Sequence, residues 1–368
     1  MAADPNVGRV LDGRFELVEL LGSGAMGRVY RARQSPMNRD VAVKILRSDR
    51  AVDEQARARF FREARALSRL TSPHTVTVLD FGQTDRSELF IAMELLEGES
   101  LANRLQRVGR LDVAAACDAT RQALRSLAEA HAKGIVHRDL KPENLFFARS
   151  RSGDPQEERV IVLDFGVAKV LDASPVATRS QTLTGIVLGT PCYMSPEQAR
   201  GLALDPRSDL YSVGVILYEL LTGRPPFTDD TNLQVMAQHV KAKPVAPRQL
   251  VGGAVIPAEV ERVVLDALAK DPTHRPQSAH EMIVQLSEAE AAAATISSGL
   301  RTALTSPWRA LAPSTFGPRM RKSGSRTDET LRTRAWRANS ASPPGFAGVG
   351  VLMFALVAAV WLVARVWH

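Results

Sequence analysis

Apolar and polar residues alternate along residues 15–46 with the two-residue period of β-strands. The alternation runs through the segments FELVELLGSG, GRVYRAR and DVAVKIL, and glycines interrupt it after the first. Two further apolar runs, at residues 76–82 and 88–96, have the length and composition of strands. The N-terminal part of the chain therefore predicts a small unit dominated by β-structure.

Helical spacing occurs once within this unit and then dominates the chain. Residues 53–70 repeat apolar positions at intervals of three and four, as an amphipathic helix does. Residues 112–133 form a longer, alanine-rich helical pattern. A short apolar strand at residues 160–163 follows, and the helical pattern then continues to about residue 294. These patterns predict a larger, helical unit after the β-rich one.

Residues 346–364, FAGVGVLMFALVAAVWLVA, contain no charge. As a helix they would be roughly 28 Å long, which nearly matches the hydrocarbon core of a bilayer. We interpret them as a single transmembrane helix; the alternative is a buried helix of a soluble domain. The basic, Pro- and Ser-rich residues 287–345 are predicted to be a disordered juxtamembrane linker, and residues 365–368 a short tail. The positive-inside bias then predicts that residues 1–345 stay in the cytoplasm.

The composition allows one large or two small globular domains, with 368 residues of which 45% are apolar. The net charge of +7 comes largely from residues 301–337, where nine Lys and Arg accompany only Asp328 and Glu329. This stretch could bind anionic lipid, and the alternative is that it only sets the membrane topology. Nucleic-acid binding is not expected, because no recognition fold accompanies the charge. Cys117 and Cys192 are too few for a disulfide framework and lack the spacing of zinc ligands.

Residues 22–29, GSGAMGRV, bring three glycines into one turn between predicted strands. Glycine lets backbone N–H groups approach a polyphosphate closely. An ordinary hairpin turn is the alternative. A dinucleotide-binding fold would need a helix directly after the last glycine, but residues 28–32 have the pattern of a strand. The turn therefore favours a flap that lies over phosphates.

Lys44 lies within the β-rich run VAVKIL, where an inward-pointing cation needs a partner. Glu63, on the predicted helix at residues 53–70, is the candidate partner. Because several arginines lie close to Glu63 in the sequence, a solvated helix face is the alternative for this residue.

The stretch His137–Asn144, HRDLKPEN, places acidic, basic and amide side chains on one short loop. Asp139 and Asn144 could hold a hydroxyl proton acceptor and a Mg²⁺ ligand close together. A second motif, Asp164-Phe165-Gly166, follows the strand at residues 160–163. A plain polar loop would show similar residues, so the meaning of this stretch depends on the other motifs.

In order and spacing, the glycine turn, the strand lysine, the helix glutamate, HRDLKPEN and DFG resemble the signature of eukaryotic-type serine/threonine protein kinases. The later motifs GTPCYMSPEQ and DPTHRP are similar too, and the likeness is greatest to bacterial transmembrane kinases. The resemblance covers residues 15–286. It implies an α+β, bilobal protein kinase fold with a β-rich lobe at about 15–96, a helical lobe at about 97–286, and an N-terminal extension at 1–14.

The resemblance implies an enzyme that transfers the γ-phosphate of ATP to serine or threonine side chains of proteins. Asp139 would accept the proton of the substrate hydroxyl, and Lys141 would stabilise the transferred phosphate. Lys44, held by Glu63, would contact the α- and β-phosphates. Thr190 together with Lys141 is similar to the serine/threonine-specific branch.

The implied cofactors are ATP and Mg²⁺, with Mn²⁺ as a substitute for the metal. Asn144 and Asp164 would hold the metal. The backbone at residues 94–96, behind Met93, would meet the adenine. The residues implied in ATP binding are Leu21, Gly22, Ser23, Gly24, Ala25, Met26, Gly27, Val29, Ala42, Lys44, Glu94 and Leu96.

Supporting and regulatory residues are implied as well. Arg275 would pair with Glu197, and Asp209 would brace the catalytic loop. Arg138 could pair with a phosphate added to the hydroxyl-rich residues 172–185. Autophosphorylation of this segment is expected to regulate the enzyme, and the candidate sites are Thr182, Thr184 and Thr178.

The expected partners are protein substrates and membrane lipid, and a homodimer through the small lobe is expected by analogy with related kinases. The expected location is the bacterial cytoplasmic membrane, with a single pass and the kinase domain facing the cytoplasm. The alternative function is a catalytically silent pseudokinase scaffold at the membrane.

Overall fold

The structure is a computed structural model that describes most of the chain up to residue 305. The described residues belong to the first of the chain's two units, Met1–Pro307. They are residues 4–24, 27–46, 54–149, 158–165, 191–251 and 255–305, with side chains up to residue 293.

An antiparallel sheet of six strands forms the N-terminal lobe. The strands are β1 (Val10–Leu11), β2 (Phe15–Gly24), β3 (Gly27–Gln34), β4 (Arg39–Leu46), β5 (Val78–Gln83) and β6 (Leu89–Glu94). They lie in the order β1-β2-β3-β4-β6-β5. Helix α1 (Glu54–Leu67) lies between β4 and β5 in the chain. It buries the apolar residues Ala56, Phe60, Ala64 and Leu67.

Strand β4 lies at the centre of this sheet, and both of its faces are buried. One face carries a small apolar cluster that includes Tyr30, Val43 and Phe90. The other face carries Ala42 and belongs to a larger core that continues into the C-terminal lobe. Because side chains alternate along a strand, Lys44 shares the face of Ala42.

Helices dominate the C-terminal lobe. Helices α2 (Leu101–Val108) and α3 (Val113–Ala132) contact a second sheet, with strands β7 (Gly98–Ser100), β8 (Leu145–Ala148) and β9 (Arg159–Val162) in that order. The later helices are α4 (Pro196–Ala199), α5 (Pro206–Thr222), α6 (Asn232–Lys241), α7 (Pro247–Val251), α8 (Ala258–Ala267) and α9 (Ala279–Thr305). Within the described ranges, short 3₁₀ helices lie at Pro142–Asn144, Pro191–Tyr193 and Pro272–His274.

Helix α5 is buried around most of its circumference. Asp205 caps its N-terminus by accepting the N–H of Arg207, and Gly223 ends it in a left-handed conformation. Gly214 lets α8 approach closely, because a Cβ at this position would lie 2.8 Å from the Cβ of Ala267. Helix α5 is therefore a fixed centre against which α3 and α8 pack.

A buried ion pair joins α4 to the segment before α9, as the sequence led us to expect. Arg275 donates from Nη1 and Nη2 to the two carboxylate oxygens of Glu197, at 2.6 and 2.9 Å. Burial alone would raise the pKa of Glu197, but the hydrogen bond from Arg275 holds that pKa below its usual value. Losing either partner would leave a buried, uncompensated charge, so the pair fixes this corner of the lobe.

Residues 69–76, between α1 and β5, are hydrogen-bonded to the C-terminal lobe, and we call them the tether. The carboxylate of Glu129 on α3 accepts the N–H groups of Thr71 and Ser72, at 2.9 and 2.7 Å. Lys133 donates to the same carboxylate at 2.7 Å. The tether therefore fastens the C-terminal end of α1 to the C-terminal lobe.

The predicted linker boundary at residue 287 is wrong, because α9 continues to Thr305. Residues 288–294, EAEAAAA, are strong helix formers and carry the helix past that boundary. The predicted extension at 1–14 also differs, since its strand β1 pairs with β2 and so joins the sheet. No helix within the described ranges is long and apolar enough to span a membrane. The predicted transmembrane span, 346–364, lies outside them, as does the linker after residue 305.

Glu129 predicts a pH dependence of stability. Burial raises the pKa of this carboxyl, but hydrogen bonds from Lys133, Thr71 and Ser72 outweigh it and lower the pKa from 4.5 to about 2. A carboxylate with a depressed pKa stabilises the fold above its unfolded pKa, and this contribution is lost as the pH falls through the folded pKa. We expect Glu129→Gln to lower the free energy of unfolding at neutral pH and to flatten its pH dependence between 4.5 and about 2.

Urea unfolding at a series of pH values measures this effect. Asp118→Asn serves as the control, because Asp118 lies on the same helix with 52% of its side chain exposed. If the free energy of unfolding of Glu129→Gln changed with pH as steeply as that of the unsubstituted chain, the prediction would be contradicted.

Candidate active site

Asp209, at the start of α5, holds the loop that carries HRDLKPEN. Its Oδ2 accepts the backbone N–H of His137 at 2.8 Å, and its Oδ1 accepts that of Arg138 at 3.0 Å. Asp209 is only 2% exposed, so these bonds form away from competing water. Arg138 has a φ of 66°, which is unfavourable for a residue with a side chain. The carboxylate therefore stabilises a loop conformation that the backbone alone disfavours, in the bracing position predicted for Asp209.

His131, on the last turn of α3, is a second partner of this carboxylate. Its Nε2 lies 2.8 Å from Oδ2 of Asp209. The sequence analysis missed His131, because a histidine near a helix end has no local signature. Only the fold brings it to Asp209, which lies 78 residues further along the chain.

His137 joins the catalytic loop to the DFG segment. The residue is fully buried, and its Nε2 donates to the carbonyl of Leu163 at 2.9 Å. Its Nδ1 then accepts the N–H of Asp139 at 3.3 Å. Burial lowers the pKa of His137, which keeps the ring in the neutral form that these two bonds require. The ring also packs on Phe165, with 4.7 Å between the centroids.

Asp139, Lys141 and Asn144 lie together on this loop. Lys141 Nζ lies 3.5 Å from Oδ2 of Asp139. Asn144, in the 3₁₀ turn that begins at Pro142, donates from Nδ2 to the backbone carbonyl of Asp139 at 2.8 Å. Because Asn144 donates through Nδ2, its Oδ1 is the atom left to bind a cation. One loop thus combines a carboxylate, an ammonium group and an amide oxygen that is open to a cation.

Lys44 pairs with Asp164 across the cleft, with 2.8 Å between Nζ and Oδ2. The predicted pair with Glu63 is not formed, since no ion pair joins these two described residues. Asp164 has a φ of 50°. Its carboxylate pairs with the ammonium group of Lys44, which Glu63 was expected to hold. The position of α1 leaves Glu63 outside the reach of Lys44.

Glu63 instead lines a cavity of about 340 Å³ between α1 and the loop that precedes His137. Arg62, Arg138 and Phe165 line the same cavity. Burial raises the pKa of Glu63, and the nearby guanidinium groups of Arg138 and Arg62 oppose this effect. Glu63 is therefore a half-buried carboxylate that α1 would have to carry toward β4 before it could meet Lys44.

Strands β2 and β3 form the glycine-rich hairpin, and its glycines differ in whether the fold requires a glycine at that position. Gly27 has a φ of 146°, and a Cβ there would lie 2.2 Å from the carbonyl oxygen of Ile45, so this position requires glycine. At Gly22 and Gly24 an added Cβ would meet nothing within 4 Å. The fold does not require glycine at these two positions, and the missing side chains leave room for a ligand to approach the backbone. Residues 25–26 lie outside the described ranges.

Buried residues from both lobes belong to one apolar core. Ala42 on β4 pairs in register with Met93 on β6. Leu145 on β8, which the sequence analysis did not single out, belongs to the same core. The side chain of Glu94 accepts the N–H of Thr77 at 2.8 Å, which fixes the end of β6 where the lobes connect. The other predicted contacts lie on the hairpin and on this connection: Leu21, Ser23, Val29 and Leu96.

Helix α4 contacts the catalytic loop. Ser195 caps it by accepting the N–H of Gln198 at 3.3 Å, and the Gln198 side chain accepts the Ser195 N–H at 2.9 Å. Gln198 also donates from Nε2 to the carbonyl of Arg138 at 2.6 Å. The predicted residues of the preceding segment lie outside the described ranges: Thr178, Thr182, Thr184 and Thr190.

The donor set of Asn144 and Asp164 fits Mg²⁺. Both side chains offer oxygen, the ligand atom that Mg²⁺ prefers, and one or two carboxylate or amide ligands suffice where substrate phosphates supply others. The N–H of Leu163 donates to the carbonyl of Asn144 at 2.8 Å, which brings the two segments side by side. In the part of the chain that the structure describes, no group of three or more His, Cys, Asp or Glu is placed to hold a metal.

Two comparisons concern the sequence. The family model of the protein kinase domain matches residues 15–286. Serine/threonine-protein kinase pkn3 of Myxococcus xanthus is 43% identical over 286 residues, which are 77% of this chain and 51% of that protein. Serine/threonine-protein kinase PknB of Mycobacterium leprae is 40% identical over 279 residues, which are 75% of this chain and 43% of that protein. The chain spans about half or less of the length of these relatives.

A third comparison concerns the fold. The crystal structure of the PknI kinase domain from Mycobacterium tuberculosis is similar with a TM-score of 0.60 and 26% identity, over 77% of this chain and 98% of that one. The site residues described above, from Leu21 to Arg275, fall within the residues that the family model matches. The chain belongs to the protein kinase domain family.

Proposed function

We propose that this chain is a serine/threonine protein kinase, which transfers the γ-phosphate of ATP to hydroxyl groups of protein substrates. The observation that carries the proposal is the single loop on which Asp139, Lys141 and Asn144 lie in mutual contact. The similar proteins pkn3 and PknB are named serine/threonine-protein kinases, which supports the same substrate class here.

Asp139 acts on the substrate hydroxyl as a general base or as an orienting acceptor. Lys141 lies 3.5 Å from its carboxylate, so it brings positive charge to the point where the phosphoryl group arrives. The braced loop matters here, because phosphoryl transfer depends mainly on positioning and on neutralising charge.

Lys44 and Asp164 serve the phosphate side of the reaction. When bound, Mg²⁺ neutralises phosphate charge, and Asn144 and Asp164 are the residues that would hold it. For Lys44 to pair with Glu63, α1 must approach β4. The arrangement with Lys44 on Asp164 therefore lacks the lysine–glutamate pair of the proposed active site.

A catalytically silent scaffold is the alternative. Such a protein would be expected to lack at least one group needed for transfer. Lys44, Asp139, Asn144 and Asp164 are all present in the cleft, so we favour the active enzyme.

Asp139→Asn tests the proposal. Removing a proton acceptor from such a site should lower the rate of phosphate transfer about 10²- to 10⁴-fold. Incorporation of labelled phosphate from ATP and Mg²⁺ into a generic Ser/Thr protein substrate measures this rate. Asp118→Asn is the matched control, because Asp118 is an exposed carboxylate on α3. Equal incorporation by the unsubstituted chain and Asp139→Asn, or none by either, would favour the scaffold.

We further propose regulation by phosphorylation of residues 172–185. Arg138 supports this, because its guanidinium lines the cavity beside Glu63, and a phosphate paired with it would alter the surroundings of α1. The double substitution Thr182→Ala and Thr184→Ala should lower turnover several-fold without lowering the melting temperature. Mass spectrometry should find phosphate on these threonines in the unsubstituted chain. Unchanged turnover with no phosphate found on residues 172–185 would reject the proposal.

We also propose that residues 346–364 anchor the chain in the bacterial cytoplasmic membrane, with the kinase domain in the cytoplasm. The uncharged sequence of this run and the basic stretch before it support the proposal. Leu356→Arg with Ala359→Arg should move the protein from the membrane fraction to the soluble fraction, because each arginine costs about 3 kcal/mol at the centre of a span. Leu356→Ala with Ala359→Leu keeps the run apolar and should stay in the membrane. The same soluble fraction for both variants would reject the anchor.

A further inference from the structure

Residues 4–9, which we call the N-terminal strap, lie before the stretch that the family model matches and pack on the small lobe. The N–H of Gly8 donates to the carbonyl of Leu17, and the N–H of Leu17 donates to the carbonyl of Arg9, both at 2.8 Å. The strap therefore continues the hydrogen-bonding of the sheet beyond β1, alongside β2.

The strap surrounds the hydroxyl of Tyr30. Tyr30, on β3, is fully buried. Its hydroxyl donates to Oδ1 of Asp4 at 3.1 Å and accepts from Nδ2 of Asn6 at 2.9 Å. A buried hydroxyl needs such partners, so the strap supplies the polar contacts that allow a tyrosine at this position.

Asp4 also reaches the tip of the glycine-rich hairpin. Its Oδ2 accepts from Arg28 Nη1 at 3.2 Å. Arg28 pairs in register with Ser23, next to the Gly24–Gly27 pair where the hairpin turns. The Asp4 carboxylate thus contacts two residues of β3, Tyr30 and Arg28. Of these, Arg28 lies next to the glycines of the hairpin.

The strap and the cleft lie on opposite faces of β3. Tyr30 packs in the small cluster, whereas Val29 packs against the larger core that includes Ala42. Because side chains alternate along a strand, Arg28 shares the face of Tyr30. A contact on this outer face can set the position of the hairpin without occupying the nucleotide cleft.

The other end of the strap is fixed away from the hairpin. Arg9 pairs with Glu88 at 2.7 Å and donates to Oδ1 of Asn6 at 2.6 Å. Glu88 accepts in turn from the hydroxyl of Thr84, in the turn between β5 and β6. The strap therefore connects the hairpin to a part of the sheet that does not contact the glycines.

We propose that the N-terminal strap positions the glycine-rich hairpin for nucleotide binding, with Asp4 and Tyr30 as the positioning residues. The inference rests on the proposed kinase function. A hairpin that lacks this brace samples more positions, and binding ATP must then order it at an entropic cost. Loss of the brace should therefore weaken nucleotide binding and leave the transfer step nearly unchanged.

Tyr30→Phe in the full-length chain, purified in detergent, tests this inference, because it removes the hydroxyl and keeps the buried ring. We expect the KM for ATP and the Kd for Mg-ADP both to rise about three- to tenfold. This rise corresponds to the free energy that one hydrogen bond typically contributes. The kcat should stay within about twofold, because the group contacts no reacting atom. Asp4→Ala should give a similar change, and the two substitutions together should be less than additive.

Tyr218→Phe is the matched control. Tyr218 on α5 is 1% exposed, and its hydroxyl donates to the carbonyl of Val245 at 2.9 Å, so the same substitution removes one buried hydrogen bond far from the hairpin. It should lower the melting temperature without changing the Kd for Mg-ADP. If Tyr30→Phe behaves like this control, the strap only stabilises the fold and the inference is overturned.

The Kd for Mg-ADP separates this inference from the proposed function. A chain that binds Mg-ADP but transfers no phosphate would reject the kinase proposal, and the affinity of Tyr30→Phe would still decide the role of the strap. A chain that binds no nucleotide would reject both.

Discussion

The buried carboxylate of Asp209 is the contact on which the catalytic loop depends. It accepts two backbone N–H groups, from His137 and Arg138, and it also contacts the imidazole of His131. Arg138 adopts a left-handed conformation that costs energy, and a well-satisfied, low-dielectric set of hydrogen bonds can offset such a cost. Asp209 itself stands on α5, whose close packing against α8 leaves it little freedom to move. The C-terminal lobe therefore braces the loop that carries Asp139.

The N-terminal side of the cleft is held differently. Asp164 and Glu63 are the two candidate partners of Lys44, and Lys44 contacts Asp164. Glu63 moves with α1, whose C-terminal end is fastened by the tether through Glu129. Because that end is fastened, we expect a motion that brings Glu63 to Lys44 to displace the rest of α1 more than its C-terminal end. The position of α1 therefore decides which of the two carboxylates Lys44 contacts.

The sequence predicted the sheet, the helical lobe and the place of most site residues, because strand and helix periods and the motif order are local properties. The state of Lys44 could not be predicted, since it depends on where α1 lies and not on which residues are present. His131 and Glu129 were missed for a related reason. Each makes its contact with a segment remote in sequence, and neither carries a local signature. The continuation of α9 past residue 287, in contrast, follows from local helix propensity that the boundary prediction underweighted.

The two sides of the cleft differ in how a change at the surface can reach the chemistry. Asp209 and the Glu197–Arg275 pair are buried and fully hydrogen-bonded, so a perturbation there breaks the loop rather than tuning it. The tip of the hairpin is held by a partly exposed polar contact, Arg28 with Asp4, that can be exchanged at small cost. Helix α1 leaves Glu63 half-buried beside Arg62 and Arg138. Under the proposed kinase function, control should therefore act on the hairpin and α1, where a phosphate or a bound partner can replace such polar contacts.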